Sequence, residues 1–494
     1  MNATGERQWF GHPRGLSTLF FTEMWERFSY YGMRALLMLF MTAAIAQRNP
    51  GLGMSVEKAA AIYGLYTSMV YLLCLPGGWV ADNVWGQKKA VFIGGCLIAA
   101  GHFCLAVQMM PTFYLGLILI VLGTGLLKPN ISTMVGDLYP EGGARRDAGF
   151  SVYYMGINIG AFFGPIFCSF FGEGYNWHWG FSLAGIGMVA GLIQYRLGAR
   201  HLVGAGELKI EATAEVLSRR NRNFLTIFAI AVAAVGLFVW LAMRGIVPVT
   251  LQQVANAVGS SIVAFAILYF VYLLFFAGYG AQDKKHLLVI FWLFILAAVF
   301  WAGYEQAGSS MNLFAFDLTD RVFGGWEMPA GWLQIVPAAF VILFAPVFGA
   351  LWVWLARRNA HPSIPMKFAL GLLLLAAGFF VLSWGAANAT AQNKVSMAWL
   401  IVTYFFHTVG ELCLSPVGLS SVTKLAPRDR VGQMMGIWFV GAALGNLFAG
   451  LVAGRLETLA PSALFWNVAL IIGGAGLLSV LLAPLIKKLI RGIA

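Results

Sequence analysis

The fold is decided by the stretch Glu23-Met24-Trp25-Glu26-Arg27-Phe28-Ser29-Tyr30-Tyr31-Gly32-Met33-Arg34, which lies inside an apolar run over residues 19–45. It places two carboxylates and two guanidiniums where a bilayer would be. An ionised group near the middle of a membrane helix costs at least about 2.5–3.5 kcal/mol. At 3.6 residues per turn, one helix face carries Glu23, Arg27, Tyr30 and Arg34, flanked by Glu26 and Tyr31. This stripe predicts the lining of a polar pathway through a membrane.

The rest of the chain has the composition of a polytopic membrane protein. Of its 494 residues, 60% are hydrophobic and 11% are charged. Apolar runs of about 20 residues, the length that crosses roughly 30 Å of hydrocarbon, recur from end to end. We predict an all-α membrane protein with fourteen spans, at 19–45, 57–81, 89–108, 111–139, 145–172, 178–198, 223–244, 257–281, 286–315, 329–357, 367–388, 396–424, 428–457 and 462–490.

The net charge of +12 is distributed unevenly along the chain. Most Lys and Arg residues fall at alternate ends of the predicted spans, which is the positive-inside asymmetry of membrane proteins and argues against nucleic-acid binding. It predicts a multi-pass protein with both termini in the cytoplasm and supports an even number of spans. The five cysteines lie within spans and lack metal-ligand spacing, so we expect core packing and no metal or other cofactor.

An internal echo divides the chain. Leu127-Lys128-Pro129 followed by Pro140 is similar to Leu414-Ser415-Pro416 followed by Pro427, with the same spacing between the two prolines. Repeats of this kind are common in transporters. We predict a first six-helix bundle at 1–198, a cytoplasmic linker at 199–222, two additional helices at 223–285 and a second six-helix bundle at 286–494.

A glycine-rich segment ends the second predicted span. Its glycines allow close helix approach, its aspartate can accept hydrogen bonds at a neighbouring helix end, and its lysine faces the cytosol. We predict a conformational latch formed by Gly78, Asp82, Gly86 and Lys88.

Several motifs, in order along the chain, resemble known families. The segment Gly78–Lys89 is similar to the loop motif of the major facilitator superfamily, and the first-span stretch resembles the signature of bacterial proton-dependent oligopeptide transporters. That family's pattern is also matched by Gly123-x-Gly125-Leu126-Leu127-Lys128-Pro129-Asn130, Phe150-Ser151-Val152-Tyr153-Tyr154-Met155-Gly156-Ile157-Asn158-Ile159-Gly160, Trp301-x3-Glu305-Gln306 and Gly410-Glu411-Leu412-Cys413-Leu414-Ser415-Pro416. The resemblance implies a major facilitator fold with two extra helices between its halves.

The residues themselves suggest how a proton would be coupled. Lys128 is a lone ammonium in a Gly/Leu-rich span and must find an anion or lose its proton, with Glu23 and Glu26 as the nearest plausible partners. Two carboxylates, Arg27 and Lys128 have two balanced arrangements, so a proton could select between conformations. A static buried salt bridge is the other interpretation of this cluster.

The resemblance also implies a substrate site and its division of labour. Glu411 would hold the α-ammonium of a peptide with help from Asn158, and Arg34 with Lys128 would meet its α-carboxylate. Glu305 would be the main proton site of the second half, exchanging between Arg34 and a proton. The remaining residues predicted at the substrate site are Tyr30, Tyr31, Tyr66, Ser415 and Trp438.

The leading hypothesis is a proton-coupled symporter in a bacterial-type inner membrane, which imports di- and tripeptides by alternating access and acts as a monomer. The alternative is a proton-coupled carrier of another zwitterionic or anionic solute, such as nitrate or an amino-acid derivative. We find no Walker loop, His-x-x-x-His or Gly-x-Ser-x-Gly motif, so the sequence does not favour an enzyme. One departure from the family pattern is Pro337, which stands where an Asn is usual and places the peptide-length preference in question.

Overall fold

The computed structural model describes residues 8–208, 213–360 and 362–490, and it is helical almost throughout. The helices of the first part are α1 (Gly15–Thr42), α2 (Val56–Leu72), α3 (Cys74–Val80), α4 (Gln87–Leu105), α5 (Met110–Asp137), α6 (Gly143–Gly174) and α7 (Trp177–Gly198). They are followed by α8 (Ala214–Met243), α9 (Leu251–Phe275), α10 (Ala281–Tyr304), α11 (Ser310–Leu318), α12 (Ile335–Arg357), α13 (Ile364–Ala386), α14 (Ala398–Leu425), α15 (Val431–Ala453) and α16 (Pro461–Leu489).

The strands are short and lie beside helix ends. Each has two residues, and they pair as β1 (Gln8–Trp9) with β2 (His12–Pro13), antiparallel; β3 (Thr319–Asp320) with β6 (Val395–Ser396), parallel; and β4 (Val322–Phe323) with β5 (Trp326–Glu327), antiparallel. The all-α class is therefore confirmed.

The helix lengths suit a membrane. Twelve helical segments of the described chain are long and apolar enough to cross a bilayer. To these α1 adds 28 residues and α7 adds 22, both long enough to span. The polar stripe of α1 lowers its hydropathy without shortening the helix. Twelve of the predicted spans are therefore confirmed by length and apolar composition, and the remaining two are confirmed as helices of sufficient length.

Three predicted spans differ in detail. α8 begins at Ala214, where the side chain of Thr213 caps the first turn, so polar turns predicted as linker are helical. The predicted span 286–315 is interrupted: α10 ends at Tyr304, and a 3₁₀ turn, Glu305–Gly308, precedes α11. In the second span, α3 continues into a π-helical turn over Ala81–Trp85.

Two six-helix bundles account for twelve of the fourteen long segments. In the first, α1 packs against α6 and α7, while α4 packs against α5 and α7. In the second, α13 packs against α14 and α16, and α10 packs against α15. The bundles correspond in order, so that α2 and α6 are the second and fifth spans of the first half and α12 and α15 are those of the second half.

The two additional helices lie outside this pair. α9 packs against α2 and α15, one helix from each half. The most apolar window of α8 is entirely exposed in the absence of lipid, as expected for a helix that faces acyl chains. Near its start, α8 contacts the π-helical turn, where Trp85 Nε1 donates to Asn221 Oδ1 at 2.9 Å.

The halves meet closely at one end and separate at the other. At the closed end α2 and α15 approach through glycines, and a Cβ on Gly64 would lie 3.1 Å from the Cα of Gly450. Nearby, Asn312 Nδ2 donates to the carbonyl of Ala35 at 2.8 Å, and Trp332 Nε1 donates to the carbonyl of Ile166 at 2.9 Å. At the other end a cavity of about 2130 Å³ opens between the halves.

Candidate functional site

A buried ion cluster is contained within α1. Arg27 Nε lies 2.9 Å from Glu23 Oε1 and 2.6 Å from Glu26 Oε2. Glu26 is fully buried, and the other two side chains are almost so. The spacing of three and four residues brings them together on one helix face, as the sequence predicts. One guanidinium thus serves two carboxylates, which leaves the cluster with an excess negative charge when both are ionised.

Lys128 lies beside this cluster without joining it. The sequence predicted Glu23 or Glu26 as its partner, but Arg27 takes both carboxylates, and no carboxylate of the described residues lies within 4.0 Å of the ammonium. The ammonium instead lies 3.8 Å from the centroid of the Tyr71 ring, a cation–π contact that sequence analysis missed. Lys128 lines the cavity, so its charge is open to an incoming anion.

A second buried ion pair joins the two halves. Arg34 Nη2 of α1 lies 2.5 Å from Glu305 Oε2, and the same nitrogen is 3.4 Å from the Glu305 carbonyl. Arg34 Nε also donates to the hydroxyl of Tyr63 at 2.7 Å. The break after α10 makes this possible, because the 3₁₀ turn presents both the carboxylate and the carbonyl of Glu305 to α1.

Glu411 is connected to this pair through one neighbouring residue. The Tyr304 hydroxyl donates to Glu411 Oε2 at 2.5 Å. Tyr304 immediately precedes Glu305, so one short segment contacts Glu411 through its first residue and Arg34 through its second. Asn158, predicted to assist Glu411, donates from Nδ2 to the Tyr154 carbonyl at 3.0 Å and lines the cavity.

The other residues predicted for substrate binding are placed around these charges. Tyr30, Tyr66 and Trp438 are buried, and Tyr31 and Ser415 are partly buried. The guanidinium carbons of Arg27 and Arg34 lie 5.6 Å from the Tyr30 ring and 5.8 Å from the Tyr31 ring, respectively. Their role as substrate contacts stays a prediction.

The predicted latch residues lie at the open end. Gly86 has a φ of +75°, in the left-handed region that favours glycine, and it separates the π-helical turn from α4. Lys88 Nζ pairs with Glu207 Oε1 at 3.1 Å, and this hydrogen bond lowers the pKa of Glu207 below its ordinary value. Gly78 and Asp82 line the cavity, and Asp82 accepts a hydrogen bond from Gln87 Nε2 at 3.3 Å.

Three tyrosines that the sequence analysis missed are the partners of its charged residues. Tyr63 accepts from Arg34, Tyr71 lies under Lys128, and Tyr304 donates to Glu411. The available signal was the recurrence of tyrosine on α2 and the position of Tyr304 next to Glu305. A buried charge needs such polar neighbours.

Residues 88–466 match the model of a family described as the POT family. The chain belongs to the POT family. The resemblance drawn from its motifs is therefore confirmed, and the match extends across most of both bundles.

The relatives are similar over nearly their whole length. A peptide transporter, YePEPT, of Yersinia enterocolitica is 43% identical over 464 residues, which are 92% of this chain and 90% of the relative. A di-/tripeptide transporter of Lactococcus lactis subsp. cremoris is 38% identical, with 88% of each chain covered. The crystal structure of a peptide transporter, POT, in complex with sulfate superposes with a TM-score of 0.90 at 37% identity, covering 99% of this chain and 98% of that one. The fold is the major facilitator fold, and this chain is a multi-pass membrane protein of a transporter family.

Proposed function

We propose that this protein is a proton-coupled symporter that imports di- and tripeptides by alternating access. The peptide cargo is supported by its similarity to the Yersinia peptide transporter and the Lactococcus di-/tripeptide transporter. The proton would be the coupling ion, and the proposal requires no bound cofactor. The chain would act as a monomer, since each half supplies part of one central site.

The proposed orientation follows from the charge distribution. Lys88, Arg146 and Arg430 lie at the open end. The positive-inside asymmetry supports the proposal that this end and both termini face the cytoplasm of a cell with an inner membrane. The cavity then faces inward, and the end at which α2 meets α15 is the closed outer gate.

The observation that carries the proposal is the Arg34–Glu305 ion pair. It is buried and joins the two halves at 2.5 Å. A proton on Glu305 would remove its negative charge and release Arg34. Because this ion pair joins the two halves, its loss would change how the halves are held relative to each other. Such a differential contact is what an ion needs to shift a conformational equilibrium.

The freed groups would bind the peptide at its two ends. In the proposed cycle Arg34 and Lys128 hold the α-carboxylate from the first half, and Glu411 holds the α-ammonium from the second half. The Tyr304 hydroxyl, now donated to Glu411, would yield its place to the ammonium. A di- or tripeptide spans roughly 7–10 Å between its termini, at about 3.3–3.6 Å per residue. Release to the cytoplasm restores the Arg34–Glu305 pair once the proton has left.

The α1 cluster would act in parallel with the cross-half pair. Neutralising Glu23 or Glu26 would leave Arg27 fully paired with the remaining carboxylate and would change the field at Lys128. The peptide carboxylate could then compete for Lys128, whose ammonium is now held only by an aromatic ring among the described residues. Proton binding and peptide binding would thereby favour each other.

The test is uptake of labelled dialanine by proteoliposomes with and without an inward proton gradient and a negative interior. Accumulation should require the gradient, collapse with a protonophore, and be inhibited by assorted di- and tripeptides but not by free alanine. N-acetylated dialanine should compete poorly because it lacks the ammonium. Gradient-independent uptake would overturn proton coupling, and competition by free alanine with none by peptides would overturn the cargo.

A further inference from the structure

Two carboxylates hold the closed end of the molecule in the same way. Glu173, in the last turn of α6, accepts hydrogen bonds from the backbone N–H of Ala330 at 2.7 Å and of Gly331 at 2.9 Å. Glu457, in the 3₁₀ turn that follows α15, accepts from the backbone N–H of Glu57 at 2.8 Å. Each carboxylate therefore belongs to one half and each donor to the other half.

The two contacts are equivalent under the internal repeat. α6 and α15 are the fifth spans of their halves, while Ala330 opens the 3₁₀ turn leading into α12 and Glu57 lies in the first turn of α2, the two second spans. In both cases the end of a fifth span caps the start of a second span across the interface. A chance surface contact would not be expected to recur at the equivalent position.

The donors at both places are the N–H groups that a helix cannot satisfy itself. The first turn of a helix has unpaired N–H groups and a partial positive charge, so an ionised carboxylate is its preferred partner. Hydrogen bonds from N–H to a carboxylate are roughly twice as strong as those between neutral groups. Glu173 uses both oxygens, one for each donor, which ties its hold on the gate to the ionised form.

The surroundings of Glu173 keep it in place. Asn49 Nδ2 donates to the carbonyls of Gly172 at 2.8 Å and Glu173 at 3.4 Å, which fixes the end of α6 to its own half. Gly331 packs closely, and a Cβ there would lie 3.0 Å from Glu173 Oε1 and clash with Ser169 Oγ. Arg321 is the charged group of the second half that acts on Glu173, and it is itself paired with Glu327 at 2.9 Å.

The surroundings of Glu457 are more open. Its side chain is exposed, Glu57 and Lys58 are the charged residues of the facing first turn of α2, and Arg455 lies on its own 3₁₀ turn. Solvent screens an exposed contact, so Glu457 should contribute less to gate closure than Glu173.

We infer that Glu173 and Glu457 are paired clamps of the outer gate, and that protonation from the outside loosens them so that the gate opens. A protonated carboxyl has lost its negative charge and uses one oxygen as an O–H donor. Protonated Glu173 therefore cannot hold two N–H groups as the carboxylate does, and protonated Glu457 holds its single N–H group more weakly. Low external pH would therefore favour the outward-open state, before the proton reaches Glu305. This inference rests on the proposed proton-driven import for its purpose, but the gate response is measurable without transport.

The test is a distance measurement across the gate by pulsed electron paramagnetic resonance in nanodiscs. Spin labels are placed at the exposed positions Gln47→Cys and Gln392→Cys, one in each half, in a Cys96→Ser, Cys104→Ser background. The wild-type background should gain a longer distance between about pH 8 and about pH 5. Glu173→Gln mimics the protonated form. It should raise the ratio of long to short distances roughly tenfold at about pH 8, and this ratio should then change less with pH than it does in the parent.

Other variants distinguish loss of the clamp contacts from a general folding defect. Glu457→Gln should give a smaller change in the same direction, and Gly331→Ala should open the gate at both pH values because its Cβ displaces Glu173. Glu141→Gln, an exposed carboxylate at the opposite end, should match the parent. A monodisperse Glu173→Gln protein with the parent's distances at about pH 8 would overturn the inference, as would a parent without a pH response.

Uptake measurements on the same variants test the proposed symport independently of the proposed gate clamps. Gate opening in Glu173→Gln with no proton-dependent uptake in the wild type would refute the symport and leave the clamps standing. Proton-driven uptake with an unresponsive gate would refute the clamps and leave the symport standing.

Discussion

The two halves carry their buried charges in different ways. In the first half, Glu23, Glu26 and Arg27 lie within five consecutive residues of one helix, and Arg27 pairs with both carboxylates there. In the second half, Glu305 has no cation on its own element and pairs with Arg34 of the opposite half. Titrating the first cluster changes charge within α1, whereas titrating Glu305 changes a contact between the bundles. If the proposed proton coupling holds, the first cluster would adjust charge locally and the Arg34–Glu305 pair would link the proton to movement of the halves.

The two buried arginines of α1 also differ from Lys128. Arg27 and Arg34 are both in ion pairs, while Lys128 contacts an aromatic ring and lines the cavity. The cations in ion pairs should support stability as well as transport. Lys128 should matter for transport with little effect on stability.

The largest effect is expected from Arg34→Ala. It removes the cross-half partner of Glu305, and leaving one member of a buried pair uncompensated costs about 3–5 kcal/mol. We expect lower thermal stability in detergent and a loss of dialanine uptake of about 100-fold, since the substrate carboxylate also loses a ligand.

The control for this variant is Arg48→Ala, an exposed arginine just beyond α1. The double variant Arg34→Ala, Glu305→Gln should regain most of the stability without regaining uptake. If the double variant is as unstable as the sum of the two single variants, the pair is not the coupled unit described here.

An intermediate effect is expected from Lys128→Gln. Uptake should fall by about tenfold to 100-fold because a cation that faces the cavity is lost, equivalent to about 1.4–2.8 kcal/mol of transition-state binding. Thermal stability should change little, in contrast to Arg27→Gln, which leaves two buried carboxylates unpaired. Lys285→Gln, exposed near the start of α10, is the matched control. Equal destabilisation by Lys128→Gln and Arg27→Gln would contradict the expectation that Lys128 matters for transport and not for stability.

The smallest effect is expected from Tyr63→Phe, which removes the hydroxyl that accepts from Arg34 Nε. A hydrogen bond to a charged group contributes about 1.5–3 kcal/mol. Because Arg34 keeps its ion pair with Glu305, we expect the half-saturation concentration for dialanine to rise by only about three- to tenfold. Tyr404→Phe is the control, because the Tyr404 hydroxyl is buried without a hydrogen-bond partner among the described residues. A similar loss in both variants would show that the Tyr63 hydroxyl does not stabilise the Arg34–Glu305 ion pair.

The sequence was sufficient for the positions of the fourteen long helical segments, the α1 stripe and the family, because hydropathy and motif spacing are local properties. It was insufficient for the break after Tyr304, because the mostly polar residues 305–310 stand between two apolar stretches that together read as one long span. Only the contact with α1 shows what the break does. It also missed Tyr63, Tyr71 and Tyr304, which meet their partners through packing between separate helices. Lys128 shows the same limit: charge alone suggested a carboxylate, and the packing supplied an aromatic ring.

The proposed mechanism depends most on Glu305, which would link the proton to movement of the halves. The direct measurement is internal pH, followed with a trapped dye, together with dialanine counterflow in the same proteoliposomes, for the wild type, Glu305→Gln and the control Glu141→Gln. Wild type and control should acidify the interior when dialanine enters, and Glu305→Gln should exchange dialanine without acidification. Acidification by Glu305→Gln at the wild-type ratio of protons to peptide would contradict the claim.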